Sequence, residues 1–239
     1  ERRGVITAGG GIWIYGPDFT VDNNIIQGNS ISCVNNYYCG GNNCDDGITA
    51  AGMGGGIFVA GDNDNDNTKI TNNLIEGNII YQNNSRFTHI YGGGIYARTS
   101  HDGFEIHSNI IRENQFIVNV SESNEDYFKG TGVYFVDYNN SARFAHNTIL
   151  DNHLVFNESL SDGQKYDIIN RYMGGGYFGT SKIDSCTISF NSAGYGGGVY
   201  YPDGSWVGGN WTGFSYDSNF AINYSTITNN TTYLDYGIH

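Results

Sequence analysis

A glycine triplet followed by an apolar residue and an aromatic one, Gly9-Gly10-Gly11-Ile12-Trp13, returns along this chain five times. The copies are Gly54-Gly55-Gly56-Ile57-Phe58, Gly92-Gly93-Gly94-Ile95-Tyr96, Gly130-Thr131-Gly132-Val133-Tyr134, Gly174-Gly175-Gly176-Tyr177-Phe178 and Gly196-Gly197-Gly198-Val199-Tyr200. One unit recurring at such intervals restricts the chain to stacked supersecondary units that share a continuous core.

Each glycine run is followed by a second pattern, which aligns without gaps. It reads Val21-Asp22-Asn23-Asn24-Ile25-Ile26 up to Asn29, and recurs from Ile70 to Asn78, Ile106 to Asn114, Phe144 to Asn152, Ile183 to Asn191 and Ile222 to Asn230. Apolar residues alternate with others over short runs, which is a strand period and argues against helix. Three short strands per repeat are expected: the glycine strand, the Ile-x-x-Asn-x-Ile strand, and a third at the last Asn and its follower (Ile31, Ile80, Phe116, Leu154, Ala193, Thr232). The shortest interval, Gly174 to Gly196, is 22 residues, whereas the others run from 38 to 45. The minimal unit is therefore one coil of a parallel β-helix, and the longer units carry insertions at one corner, before the glycine run. Six coils at an interstrand spacing of roughly 4.8 Å make a rod of about 29 Å.

This reading predicts apolar ladders inside the rod, Ile12, Ile57, Ile95, Val133, Tyr177 and Val199 on one strand and Ile26, Ile75, Ile111, Ile149, Ile188 and Ile227 on the other. It also predicts two amide ladders, Asn24, Asn73, Asn109 and Asn147, and Asn29, Asn78, Asn114, Asn152, Asn191 and Asn230, in which stacked Asn side chains hydrogen-bond along the axis. Their role is structural.

With these elements in place, the chain resembles the right-handed parallel β-helix repeats of the pectin-lyase-like superfamily. Its Gly-Gly-x-Ile strands and Phe144-Ala145-His146-Asn147 resemble the polymorphic outer-membrane type of repeat. The resemblance spans nearly the whole chain and implies an all-β, right-handed solenoid; it implies no single activity, because lyases, hydrolases, adhesins and surface proteins share that fold. For a lyase it implies a basic residue beside a calcium-bound uronate, for which Arg98, Arg112 and Arg143 are the strand-borne candidates. For a hydrolase it implies carboxylates on neighbouring coils within a series of short motifs, of which only Asp45-Asp46 is present. His107 and His146, in adjacent repeats, lack a convergent carboxylate pair and read as surface residues.

The 239 residues form one expected domain, 1–239, with no linker or shift of composition. A net charge of −13 with 11 Lys and Arg argues against nucleic acid or an anionic membrane as partner, and no apolar run is long enough to insert into a bilayer. Opening at Glu1 without Met, the sequence reads as a processed protein or a segment of a longer one, and Tyr236-Gly237-Ile238 resembles the opening of a further glycine strand.

Several residues invite chemistry. Cys33, Cys39 and Cys44 in the first insertion, with Cys186, suggest disulfides of unspecified pairing and an oxidising compartment rather than a zinc site, since no Cys-x-x-Cys pair occurs; Cys186 sits at an inward ladder position that suits a buried thiol. Asp62, Asp64 and Asp66 alternate as at the start of a calcium loop, yet Asn67 replaces the expected Gly, so a calcium site and a solvated turn both remain open. Trp13, Phe58, Tyr96, Tyr134, Phe178 and Tyr200 follow the inward residue of each glycine strand and form an aromatic stripe on the outside. It is open to polysaccharide, to another subunit or to covering by the insertions. Glycosylation sequons fall at Asn83, Asn119, Asn139, Asn157, Asn210, Asn223 and Asn229, with Asn230 doubling as a ladder residue. Together these features predict an extracellular or cell-surface, disulfide-bearing glycoprotein that self-assembles head to tail through uncapped coil ends into a filament, appendage or layer. The alternative is a carbohydrate-binding or polysaccharide-cleaving module.

Overall fold

The computed structural model describes residues 5–16, 18–33, 50–60, 67–83, 88–100, 102–119, 127–139, 141–202 and 221–233. They form a parallel β-helix. Five faces run along it, here lettered A to E in chain order, and every strand pair within them is parallel. Face A starts at Val5–Ala8 and ends at Tyr172–Met173; face B, the glycine face, runs from Ile12–Tyr15 to Val199–Tyr200. Faces C and D run from Thr20–Asp22 to Ile222–Asn223 and from Ile25–Gln27 to Thr226–Thr228. Face E runs from Ser30–Cys33 to His153–Phe156, and the pair Ser192–Ala193 and Thr231–Thr232 continues its chain position.

The strand pairing reproduces the expected ladders rung by rung: Ile12, Ile57, Ile95, Val133, Tyr177 and Val199 are successive partners on face B. On face D the succession is Ile26, Ile75, Ile111, Ile149, Ile188 and Ile227. The Ile-x-x-Asn-x-Ile element is two strands rather than one, because the residue before the Asn (Asn23, Asn72, Ser108, His146) takes a positive φ and bends the chain. Face A, which the repeat pattern does not reveal, adds a fifth strand to each of the first five coils and continues into the last as the single bridge between Met173 and Tyr195.

Both parts of the sequence signature meet at a narrow waist. Gly54 takes a positive φ of 66°, the left-handed turn that glycine adopts without strain. At Gly55 an added Cβ would stand 2.3 Å from the carbonyl oxygen of Gly93 in the next coil, and at Gly56 it would stand 2.9 Å from Asn78 Nδ2. The triplet thus turns, lets the coils stack, and makes room for the Asn ladder opposite. The waist divides the interior into two apolar cores, one enclosed by faces B, C and D and the other by faces E and A.

Amide ladders line the corners. Asn114 Oδ1 accepts from the backbone N–H (3.1 Å) and Nδ2 (3.0 Å) of Asn78, while its own Nδ2 donates to Asn152 Oδ1 (2.9 Å) and to the Ile75 carbonyl (3.1 Å). The first ladder passes from Asn24 through Asn147 to Cys186 and Ser225, with Sγ and Oγ accepting where Oδ1 would.

Insertions leave after face E and return through face A; one of them contains the single helix among the described residues, Asp162–Ile169, capped by Ser161 and Gln164 and held by Ile168 in the second core. The connection 201–221 leaves from another corner, between faces B and C, so the insertions do not form one row. No described helix is long and apolar enough to cross a membrane.

Candidate functional site

Faces A and B meet at the glycine corner with their outer surfaces turned toward each other, and the aromatic stripe lies in the cleft between them. Its rings stack in sequence. Phe58 and Tyr96 have centroids 5.0 Å apart, Tyr96 and Tyr134 5.0 Å, Tyr134 and Phe178 5.1 Å, and Phe178 and Tyr200 5.4 Å, with the ring planes nearly parallel in every pair. From face A, Tyr91 stacks on Tyr134 at 4.8 Å, and Lys129 Nζ sits 5.1 Å from the Phe178 centroid and 5.5 Å from those of Tyr91 and Tyr127. The stripe is therefore not an open surface: Phe58, Tyr96 and Phe178 are buried by their neighbours and by face A. Only Trp13, edge-on to Phe58 and 65 % exposed, presents a ring freely.

Burial shapes the ionisation of this cleft. It lowers the Lys129 ammonium to about 8, and burial together with the Lys129 charge lowers His89 to about 4. Burial raises the Tyr91 phenol, so this hydroxyl stays protonated at neutral pH. Sequence reasoning passed over Lys129, Tyr91 and His89 because face A carries no repeat signature. Among the described residues Lys129 makes no ion pair with a carboxylate; its charge is held by ring faces.

Of the other expected residues only Arg143 and His107 come together, both at Glu105, which Lys69 also reaches at 3.1 Å. Arg98 donates to the Tyr138 hydroxyl and lies over that ring, Arg112 pairs with Glu76 at 2.9 Å, and Arg143 approaches Glu105 at 3.7 Å. His107 Nε2 lies 3.2 Å from Glu105, whereas His146 is exposed at a positive-φ turn. An open groove of about 320 Å³ at the corner of faces D and E holds Glu113, Asp151 and His153, but among the described residues no three potential ligands are placed to hold a metal ion. Asp62, Asp64 and Asp66 lie outside the described residues, as do Asp45, Asp46, Cys39, Cys44, Asn210 and Tyr236 to Ile238.

Cys33 and Cys186 are buried free thiols, not half-cystines. Cys186 is a ladder rung inside the first core, and Cys33 fills the space opposite Gly52, where a Cβ would stand 2.4 Å from Sγ. Burial raises them to about 11 and about 12. Of the sequon residues, Asn83 and Asn157 are exposed and Asn119 is half-buried, and the three stack as a third amide ladder, Asn157 Nδ2 donating to Asn119 Oδ1 at 3.1 Å and Asn119 Nδ2 to Asn83. Asn139 is exposed and donates to the Ser100 carbonyl; Asn223 and Asn229 are exposed in the last coil.

That coil and the first one form the remaining candidate site. In the last coil Ile222 and Ile227 continue the core ladders, yet Ile227 is 41 % exposed where its predecessor Ile188 is wholly buried. Compared with family models, curated proteins and solved structures, the chain matches none.

Proposed function

We propose that this protein is a structural module of a cell surface or extracellular layer that associates through the ends of its β-helix. One observation carries the reading. Among the described residues, the exposed large apolar and aromatic side chains are Trp13, Tyr15, Phe19 and Ile25 in the first coil and Tyr195, Ile222, Tyr224, Ile227 and Tyr233 in the last, against only Ile110, Tyr166 and Phe190 between them. Apolar surface concentrated in patches marks contact with another molecule. Among the described residues the strands of those two coils pair on one side only, and their other edges offer backbone groups to that contact. The sequons favour a secreted glycoprotein, and the acidic charge a soluble one.

Sedimentation velocity over a wide concentration range tests the reading. Oligomers that grow with concentration, and that Ile227→Asp suppresses, are expected; a monomer at every concentration overturns it. A second reading, carbohydrate binding, keeps one observation in its favour, the freely presented Trp13 ring. Retention on a polysaccharide matrix abolished by Trp13→Ala supports it, and unaltered retention removes it.

A further inference from the structure

Three of the four lysines lie on open surface: Lys69 is 3.1 Å from Glu105, Lys165 is 4.0 Å from Asp162, and Lys182 is exposed. Lys129 is placed otherwise. Strand pairing aligns it with Tyr91 in the coil before and Met173 in the coil after, on the outward row of face A that borders the glycine corner. Its Nζ reaches across the cleft to 5.1 Å from the Phe178 ring centroid on face B, and the residue is half-buried, so a small solute can reach it. The titratable groups around it come from both walls. From face A they are His89, Tyr91 and Tyr127, with Arg171 one residue before Tyr172; from face B they are Tyr96, Tyr134 and Arg98. None is a carboxylate. An ammonium here gives up water for ring faces and gains no counter-ion, and ring faces return less than the hydration lost. The neutral amine thereby becomes accessible near neutral pH, and burial lowers the group to about 8.

We infer that Lys129 is a covalent carbonyl-capture site, whose Nζ condenses with a small aldehyde, free or as the open-chain reducing end of a sugar, to form an imine. The nitrogen lone pair attacks the carbonyl carbon and gives a carbinolamine; the oxygen then leaves as water with the two hydrogens that the amine gives up, and C=N replaces C=O. No oxidant or reductant enters. The imine, once protonated from solvent, keeps a cation where Tyr91, Tyr127 and Phe178 already face one, so the same rings serve product and ammonium alike. They also limit the water that would hydrolyse it. The inference is independent of how copies of the chain associate.

The experiment treats dilute native protein with butanal and, separately, with glucose from pH 6 to pH 10, traps imines with cyanoborohydride, and maps the modified lysines by peptide mass spectrometry. At pH 8 about half of the Lys129 amine is neutral, against well under one in a hundred at the ordinary lysine value of 10.5. Butanal should therefore label Lys129 at least about tenfold faster than the three surface lysines, at a rate that levels off above pH 8. Capture of butanal alone and capture of both aldehydes each support the site, the second adding reducing sugars to its ligands. Met173→Glu sets a carboxylate beside the ammonium and should slow Lys129 labelling about tenfold while the other lysines react as before. Lys129→Arg should remove the fast position, and circular dichroism matching the wild type shows that each variant is folded. Wild-type Lys129 labelled no faster than the surface lysines, or a folded Met173→Glu variant labelled as fast as the wild type, overturns the inference.

Discussion

Replacing Asn114 by Ala interrupts the second ladder at a rung that is wholly buried. The side chain makes four hydrogen bonds, two accepted from Asn78 and two donated, to Asn152 and the Ile75 carbonyl. At a net contribution of about 1 kcal/mol each the loss is about 4 kcal/mol, and it rises toward about 6 kcal/mol because the buried Asn78 N–H is left without an acceptor. Asn29→Ala is the internal control. That side chain, half-buried in the first coil, donates one such bond, to Asn78 Oδ1, so its removal costs about 1 kcal/mol. For a chain of this size the two variants should lower the thermal midpoint by roughly 8–24 °C and 2–4 °C respectively. Thermal unfolding followed by circular dichroism at low protein concentration reads the difference. Equal shifts would refute the reasoning, because they would show that the amides act as filler whose hydrogen bonds water replaces.

The waist couples glycine to asparagine: Gly94→Ala should destabilise strongly, since its Cβ would stand 3.0 Å from Asn114 Nδ2 and 2.7 Å from the Gly132 carbonyl, and the double variant Gly94→Ala, Asn114→Ala should cost less than the sum of the two singles in chemical denaturation. Cys33 and Cys186 should resist alkylation at pH 8 in the folded protein and react once it is unfolded, which peptide mapping after iodoacetamide treatment will show; labelling of either in the native state would contradict their burial. His89 and Lys129 are both lowered by burial, so each contributes stability that is present above its unfolded value, 6.5 and 10.5, and is lost as pH falls through about 4 and about 8. Lys129→Met should therefore gain on the wild type as pH drops from 10.5 to 7.5, and a difference independent of pH in urea titrations would exclude a buried amine. With a net charge of −13 on every copy, association should strengthen as salt is raised from 20 to 300 mM; weakening would mean that opposite charges hold the junction.

The coils, their register and both amide ladders were legible because identical residues recur there: a turn that needs glycine, and a corner that needs an amide donating one way and accepting the other. Face A was not legible because its inward positions, Gly52, Ile90, Phe128 and Tyr172, share no residue type. What they satisfy is a shared volume, as Gly52 leaving space for Cys33 shows. Missing face A meant missing Tyr91 and Lys129, and without them the aromatic stripe could be placed on the outside but not recognised as buried. The helix left a trace in its capping box, Ser161 with Gln164, but no apolar period, since Ile168 is its only buried residue.

In a solenoid each coil is stabilised only by its neighbours, so one set of bonds serves two purposes according to position. A rung with coils on both sides, such as Asn114, spends its hydrogen bonds on folding, and its loss should lower stability in monomer and assembly alike. A rung in the first coil, such as Asn29, makes one side-chain hydrogen bond to its neighbouring coil, to Asn78 Oδ1. Its loss should leave the monomer nearly as stable as before while weakening the contact between copies. The two effects separate in one pair of measurements, the melting of dilute protein and the sedimentation of concentrated protein. If Asn29→Ala shifted the first as much as it shifted the second, the end of the ladder would belong to the fold rather than to the interface.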